Sequence, residues 1–215
     1  MTIREPRTQA QPNQAFAQLA SGERIRATAA ALERNGIRAL IADTGQDARQ
    51  RVLELLPEGA EVFNATSRTL ETIGLAEDIE RSGRYRAVRP RLYQMDRVMQ
   101  GREMRKAAAA PDYLVGSVHA VTEGGSLLVA SASGSQLGPL VSGAGTVILV
   151  IGAQKIVPDL EAGLRRIDEY CYPLEDARAR TAYGIPSGVN NILIVNRPLA
   201  PGRVTAILVG ESLGF

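Results

Sequence analysis

Residues Gly116–Pro158 decide the fold of this chain, and they read GSVHAVTEGGSLLVASASGSQLGPLVSGAGTVILVIGAQKIVP. Three apolar runs typical of strands alternate here with loops of Gly, Ser and Thr: Val115–Val121 with interruptions, Leu127–Ala130 and Val147–Ile151. The run Val147–Ile151 is apolar at every position, as expected of a strand that is covered on both faces. We therefore expect it inside a central sheet and not at an exposed edge.

The segments on either side of this stretch predict an α/β fold. Helical and strand patterns alternate before it, over Gln14–Glu33, Ile37–Ala42, Gln46–Leu56, Ala60–Phe63 and Ser67–Ile73. This order favours a parallel sheet covered by helices. A predicted helix over Met95–Ala110 is followed by strands with short turns. Pro158 then opens a helix whose apolar face holds Leu160, Leu164, Ile167 and Cys171. The chain finishes with strands Ile192–Val195 and Val204–Val209. The prediction is a mixed, mostly parallel central sheet with helices on both faces.

The composition is that of a globular protein. Of 215 residues, 45% are hydrophobic and 22% charged, which excludes a disordered or fibrous chain. Residues 1–13 are rich in Pro and Gln and predict a flexible tail, and residues 14–215 predict a single domain. No apolar run is long enough to span a bilayer, and the first residues lack the apolar core of a signal peptide. We expect a cytoplasmic protein without a membrane partner.

Cysteine and histidine are too scarce for most metal sites. The chain holds one of each, which excludes a disulfide framework, a cysteine-based zinc site and a pair of histidine ligands. Neither a Walker motif nor the G-x-G-x-x-G fingerprint is present. We expect no metal and no redox cofactor, although a site for Mg²⁺ or Ca²⁺ built from carboxylates alone stays open.

Basic residues are concentrated in one window. Arg81–Lys106 holds nine basic residues and only two acidic ones, Asp96 and Glu103. The window contains two tyrosines and no nucleic-acid-binding motif, so it favours a solvated or anion-facing surface over a nucleic-acid interface. We predict no nucleic-acid partner.

Two charged residues stand at the ends of candidate strands. Glu123 lies in TEGG, where flexible glycines allow close approach of a ligand, and it is a candidate general base or nucleophile. The alternative is a turn glutamate bonded to backbone N–H groups. Lys155 follows the apolar strand at the end where α/β sheets bind ligands, so it could pair with a substrate anion or with Glu123. A surface lysine that covers a helix end is equally consistent with the pattern.

A loop of small residues suggests an anion pocket. Ser131, Ser133, Gly134 and Ser135 follow a strand, and their hydroxyl and N–H groups could hold phosphate or carboxylate. A flexible turn is the alternative. We expect Glu123, Lys155 and the loop Ser131–Ser135 to converge on one anion-binding cleft at the strand ends.

Four further residues bear on the candidate site. His119 precedes Glu123 by four residues, which on a strand places both on one face, so His119 is a candidate for acid–base work; a packed or exposed histidine is the alternative. Ser67 and Thr69 are expected to cap a helix first and to contact the pocket second. Cys171 is expected in the core.

Five segments give the chain a resemblance to a known family. They are SRTLETIGL (Ser67–Leu75), SVHAVTEGGSLLVASASGSQ (Ser117–Gln136), VILVIGAQKIVPDLEAGLRRI (Val147–Ile167), YPLEDAR (Tyr172–Arg178) and the ending RVTAILVGESLGF. The chain resembles LUD-domain proteins, the family named for lactate utilisation. The resemblance implies a fold like that of ribose-5-phosphate isomerase, glucosamine-6-phosphate deaminase and the CoA transferases. It also implies a cytoplasmic role linked to oxidation of lactate or similar organic acids, with an organic acid, phosphate ester or CoA ester as ligand.

The chain departs from the family pattern at several positions. The family often shows Asn where His119 stands, Gly-Asn-Arg where Gly134-Ser135-Gln136 stands, and Asn-Lys where Gln154-Lys155 stands. Related short members carry a Cys-rich segment where this chain has TAYGIPSGVNN (Thr181–Asn191), which excludes an iron–sulfur or zinc site there. Three functions stay open: an anion-binding protein of organic-acid utilisation, a non-catalytic accessory protein that docks to an oxidoreductase, and an isomerase or CoA-transferase-like enzyme. A homodimer is also left open.

Overall fold

The computed structural model describes residues 11–215. Its helices are α1 (Gly22–Arg34), α2 (Gly45–Leu55), α3 (Arg68–Thr72), α4 (Leu75–Arg81), α5 (Val88–Tyr93), α6 (Gly101–Ala109), α7 (Leu160–Arg166) and α8 (Tyr172–Tyr183). Its strands are β1 (Arg38–Ala42), β2 (Glu61–Asn64), β3 (Arg86–Ala87), β4 (Tyr113–Gly116), β5 (Ala120–Thr122), β6 (Leu127–Ser131), β7 (Thr146–Gly152), β8 (Ile156–Val157), β9 (Asn191–Val195) and β10 (Val204–Val209).

A six-stranded parallel sheet forms the centre of the fold. Its strand order is β1-β10-β7-β4-β2-β3, and every neighbouring pair is parallel. Strand β7 lies between β10 and β4, with Val150 opposite Ile207. The prediction that Val147–Ile151 lies inside the sheet is confirmed.

Helices cover both faces of this sheet. Val147, Leu149 and Ile151 of β7 pack in one core cluster with α1, α5 and α6. Ile148 and Val150 point the other way and pack with α2, α3 and α4. A strand whose alternate side chains enter two cores must be apolar throughout. This explains the continuous run in the sequence and confirms the predicted α/β class with helices on both faces.

A second, smaller sheet carries the mixed pairing. Its order is β8-β5-β6-β9, in which β5 is parallel to β8 and antiparallel to β6, and β6 is antiparallel to β9. Leu127 and Val129 of β6 join the same core cluster as α1 and the central sheet. The small sheet is thereby packed on one face of the large one.

Two predicted helices start later than expected. The predicted helix Gln14–Glu33 divides into a 3₁₀ turn, Gln14–Ala17, and helix α1, because the Ser21 side chain accepts the Arg24 N–H at 3.3 Å and caps a new start. The predicted helix Met95–Ala110 begins only at Gly101. Asp96 accepts the N–H groups of Val98 and Met99, at 2.7 and 2.9 Å, and holds this segment in a turn.

The apolar face predicted for the helix after Pro158 is only partly right. Ile167 and Cys171 are buried, but Leu160 and Leu164 are each 40% exposed. The helix approaches the small sheet through Gly163, where an added Cβ would lie 2.8 Å from the Leu128 side chain. Because this close approach needs a residue without a side chain, the two leucines flank the contact and stay partly in solvent.

The N-terminal prediction falls mainly outside the described part of the chain. Of the predicted tail, residues 1–10 lie outside it, whereas Asn13 bonds to Glu169 through both its backbone and its side chain, at 2.9 and 2.8 Å. Within residues 11–215, no helix combines the length and the apolar character that crossing a membrane requires.

Candidate functional site

A cavity of about 740 Å³ opens beside the carboxyl ends of several strands. Its wall includes the segments that follow β2, β4, β6 and β7, together with parts of α5, α6 and α8. The crevice at the carboxyl ends of parallel strands is where α/β proteins usually bind ligands. We refer to it as the Lys155 cavity, after the lysine in its wall.

Lys155 is held in this wall by a short 3₁₀ turn, Ala153–Lys155, directly after β7. Its Nζ donates hydrogen bonds to Thr69 Oγ1 at 2.9 Å and to Ser117 Oγ at 3.0 Å. All three residues line the cavity, and Lys155 is buried to 1% exposure. The alternative of a surface lysine is therefore wrong.

No carboxylate within residues 11–215 forms an ion pair with Lys155. The cation that acts on Lys155 is Arg166, which is itself fully buried and also lacks an acidic partner in the described chain. Burial, with a smaller contribution from the Arg166 cation, lowers the pKa of Lys155 to about 7. The site is a buried positive region that no side chain neutralises.

Arg166 lies outside the cavity and holds two segments of its wall through hydrogen bonds. It donates to the backbone carbonyls of Gln154 and His119 and to Cys171 Sγ, while its Nη2 has no hydrogen-bond partner among the described residues. Cys171 is buried as expected, and burial raises the pKa of its thiol. A buried guanidinium nitrogen without an acceptor is uncommon, because the unmade hydrogen bond costs free energy.

His119 lies in the cavity wall at the start of β5. Its Nδ1 accepts the Ala130 N–H at 3.1 Å, so the proton of the neutral ring is on Nε2. Burial first, and then the Lys155 and Arg166 cations, lower the pKa of His119 to about 3. The ring is neutral at physiological pH and can donate from Nε2, but it does not serve as a cationic acid there.

The serine loop lies in the same wall. Ser131 Oγ accepts the Gly134 N–H at 2.9 Å, and the hydroxyls of Ser133 and Ser135 lie 3.1 Å apart. Gly134 has a φ of +77°, which a side chain would strain, and it is not itself in the cavity wall. The loop is a built turn that presents serine hydroxyls to the cavity, and Gly134 shapes it.

Ser67 and Thr69 also line the cavity, with different local roles. Ser67 caps α3, since its Oγ accepts the Leu70 N–H at 3.4 Å. Thr69 does not cap; its hydroxyl donates to the Leu213 carbonyl at 3.0 Å and accepts from Lys155. The capping role expected for both residues holds for Ser67 alone.

Glu123 lies outside this cavity. Its carboxylate pairs with Arg24 at 2.7 Å, and each side chain is 42% exposed. His119 precedes β5 and Glu123 follows it, so about 13 Å of strand separates them even where side chains share a face. The cavity brings together Lys155 and the serine loop, as expected, and adds His119, whereas Glu123 was expected there and lies outside it.

The sequence did not single out Ser117 or the arginines of the wall. Arg68, Arg89, Arg97, Arg105 and Arg178 line the cavity with Lys155, against one carboxylate, Glu175. Glu175 is paired with Arg178 through two bonds of 2.7 Å. Arg97 and Arg105 form no ion pair within residues 11–215. The basic window Arg81–Lys106 was the available signal, since three of these arginines belong to it.

Metal-binding groups are not clustered in the described part of the chain. Residues 11–215 contain no group of three or more His, Cys, Asp or Glu side chains placed to hold a metal ion. The chemistry that this arrangement offers is binding of negative charge, hydrogen bonding from hydroxyls, and an amine with a pKa near neutrality.

Comparisons with known proteins agree with this fold. The family model of the LUD domain matches residues 25–209. No curated protein matches the chain in sequence. Among solved structures, a DUF162 family protein from Deinococcus radiodurans superposes with a TM-score of 0.53 at 10% sequence identity, covering 89% of this chain and 99% of its own. At that identity the likeness shows the fold alone.

Proposed function

The chain belongs to the LUD-domain family, and from that premise we propose that it binds a small anionic metabolite in the Lys155 cavity, in lactate or related organic-acid utilisation. The family supplies the metabolic setting, which we place in the cytoplasm. The cavity supplies the chemistry.

The observation that carries this proposal is the pair of buried cations without a carboxylate. Lys155 and Arg166 are almost completely buried, and neither forms an ion pair in residues 11–215. Moving a charge out of water costs several kcal/mol unless an opposite charge or hydrogen bonds compensate. A bound anion beside Lys155 would offset that cost by accepting the third N–H of the ammonium group, while Thr69 and Ser117 accept the other two.

The size of the cavity favours a ligand larger than a three-carbon acid. A volume of about 740 Å³ is within the range of pockets that hold drug-sized molecules. Arg97 and Arg105 add positive charge to the wall without an ion pair of their own in the described chain. An organic acid that also carries a phosphate, or is joined to CoA, would use both the Lys155 region and these arginines.

Native mass spectrometry of the purified full chain tests the proposal first. We expect a retained anionic ligand, or its return on addition of one member of a panel that contains lactate, pyruvate, a phosphorylated hydroxy acid and a CoA ester. Calorimetry then measures the affinity of the member that binds.

Two lysine variants localise the binding. Lys155→Met keeps the volume and removes the charge, and we expect it to weaken binding by about 1.5–3 kcal/mol, the range for a hydrogen bond to a charged group. Lys106→Arg changes the other lysine of the chain, which is exposed on α6 and outside the cavity, and should leave affinity unchanged. Equal affinity in both variants would place the ligand elsewhere. Absence of binding by the whole panel would favour an accessory protein that docks to an oxidoreductase.

A further inference from the structure

The hydrogen bonds of Lys155 accommodate the neutral form of its amine as well as the charged form that binds an anion. An ammonium group has three N–H donors, whereas a neutral amine has two and a lone pair. Within residues 11–215, the Lys155 nitrogen has two hydrogen-bond partners, Thr69 Oγ1 and Ser117 Oγ. These two bonds satisfy every donor of the neutral amine and leave its lone pair unengaged.

Both hydroxyls are oriented to accept from the amine. The Thr69 hydroxyl has acceptors in the Leu213 carbonyl at 3.0 Å and in Ser117 Oγ at 3.3 Å, and the Ser117 hydroxyl has one in the Val118 carbonyl at 3.4 Å. With its hydrogen used in this way, each oxygen presents a lone pair to Lys155. The nitrogen is thus held in place by acceptors alone, with no carboxylate that would favour the charged form.

The surroundings keep the amine reactive. Burial and the Arg166 cation lower the pKa of Lys155 to about 7, so a large fraction is unprotonated at neutral pH. An ordinary lysine has a pKa of about 10.4 and is almost entirely protonated there. Desolvated lysines beside another cation are the ones that act as nucleophiles towards carbonyl groups.

We propose that Lys155 forms a Schiff base with an anionic carbonyl compound, either a 2-oxo acid or an aldehyde that carries a phosphate. The inference rests on the proposed function, because it names the class of anion that the cavity takes. The six basic side chains of the wall select the negative charge, and the unengaged lone pair of Nζ in a cavity of hydroxyl groups selects the carbonyl.

The reaction needs no oxidant or metal. The Nζ lone pair attacks the carbonyl carbon, and one Nζ proton moves to the carbonyl oxygen to give a carbinolamine. The second Nζ proton then moves to the hydroxyl group, the C–O bond breaks and water leaves, and the nitrogen lone pair forms the C=N bond. Thr69 and Ser117 lie within 3.0 Å of Nζ and can relay these protons. The neutral His119 ring of the same cavity can offer the oxygen a hydrogen bond from Nε2 and keeps its proton.

Reductive trapping tests the inference, because the chain has only two lysines. The full protein is incubated at pH 7 with cyanoborohydride and one of three probes: glyoxylate, glycolaldehyde phosphate or neutral glycolaldehyde. Peptide mass spectrometry then compares adducts at Lys155 and at the exposed Lys106. We expect at least one anionic probe to modify Lys155 more than tenfold faster than Lys106. That preference should exceed the preference of the neutral probe, which reports the free amine without selection for negative charge.

The two anionic probes distinguish the sources of the negative charge. Preference for glyoxylate indicates a 2-oxo acid, and preference for glycolaldehyde phosphate indicates a phosphorylated aldehyde; either supports the inference. Lys155→Arg keeps the charge and removes the nucleophile, so its cavity adduct should disappear. Ser117→Ala keeps the lysine and should slow trapping several-fold, which covers the case in which the arginine variant fails to fold.

Binding and trapping fail in different ways. If calorimetry shows that anions bind but Lys155 is trapped no faster than Lys106, the Schiff base is overturned and the proposed function stands. If no anion binds and Lys155 is not trapped, both are overturned.

Discussion

The amine nitrogen of Lys155 lies 2.9 Å from the hydroxyl oxygen of Thr69, although 86 residues separate them in the chain. The same hydroxyl donates to the Leu213 carbonyl, which follows β10. One threonine therefore joins the start of α3, the turn after β7 and the segment after the last strand. The position of the candidate amine depends on this junction.

Thr69→Val should destabilise the protein by about 1–3 kcal/mol. The substitution keeps the shape but leaves one buried Lys155 N–H without its acceptor, and an unmade buried hydrogen bond costs that much. It also removes one of the two hydrogen bonds to the Leu213 carbonyl, which Gln154 still donates to. Thr69→Ser retains the hydroxyl and should lose less. Urea denaturation of both variants checks the difference, and equal losses would mean that the hydroxyl is not what matters.

The stability of the protein should rise with pH above 7 because of Lys155. Its folded pKa of about 7 lies below the ordinary value of 10.5, so between these values the unfolded chain holds a proton that the folded chain has lost. Stability then increases with pH, by at most about 1.4 kcal/mol per unit for one proton, and below pH 7 the full cost of the buried charge applies. Lys155→Met should lack this rise. If the unfolding free energies of the wild-type protein and of Lys155→Met change in parallel from pH 6 to 10, the burial of the Lys155 amine is contradicted.

His119 should stay neutral down to about pH 4. Its pKa of about 3 lies below the ordinary value of 6.5. As the pH falls from 6.5 to 3, the histidine is protonated in the unfolded chain but not in the folded chain, so the free energy of unfolding decreases. As the only histidine, it gives unambiguous ring nitrogen signals in NMR. We expect the Nε2–H tautomer throughout pH 5–8. A midpoint near 6.5 in the folded protein would show that the ring is exposed to water.

Glu123→Gln should have little effect on either stability or ligand binding. The carboxylate is 42% exposed and pairs with Arg24, and exposed pairs contribute about 0.2–1 kcal/mol. Arg24→Gln is the matched control and should lose a similar amount. Calorimetry of the bound anion checks the second part, since a large loss of affinity would restore Glu123 to the site.

Arg105→Ala should weaken anion binding several-fold, and Arg102→Ala should not. Both arginines are exposed on α6, but only Arg105 lines the cavity. The matched pair separates a local contact from a general loss of positive charge. The Arg105 effect should shrink as salt is added, because salt screens exposed charges. Equal effects of the two variants would indicate long-range attraction only.

The central sheet could be predicted because local pattern and tertiary setting agree there. The run Val147–Ile151 is apolar at each position, and the structure buries alternate residues in two cores. Helix starts were less predictable. Ser21 and Asp96 redirect the backbone through one and two side-chain hydrogen bonds. In a sequence, such local bonds give a weaker signal than hydrophobic periodicity.

The sequence by itself determined the α/β class, the buried strand and a loop of Gly and Ser after a strand. Each of these depends on neighbouring residues, through periodicity or turn chemistry. Only the tertiary structure decided which residues share the cavity. It brought Lys155 to Thr69 and Ser117 and added arginines from α5, α6 and α8. It also left Glu123 paired with Arg24, because β5 belongs to the second sheet and its carboxyl end, where Glu123 stands, lies away from the crevice. The direction of a strand in space is set by packing between distant segments, which the sequence pattern does not reveal.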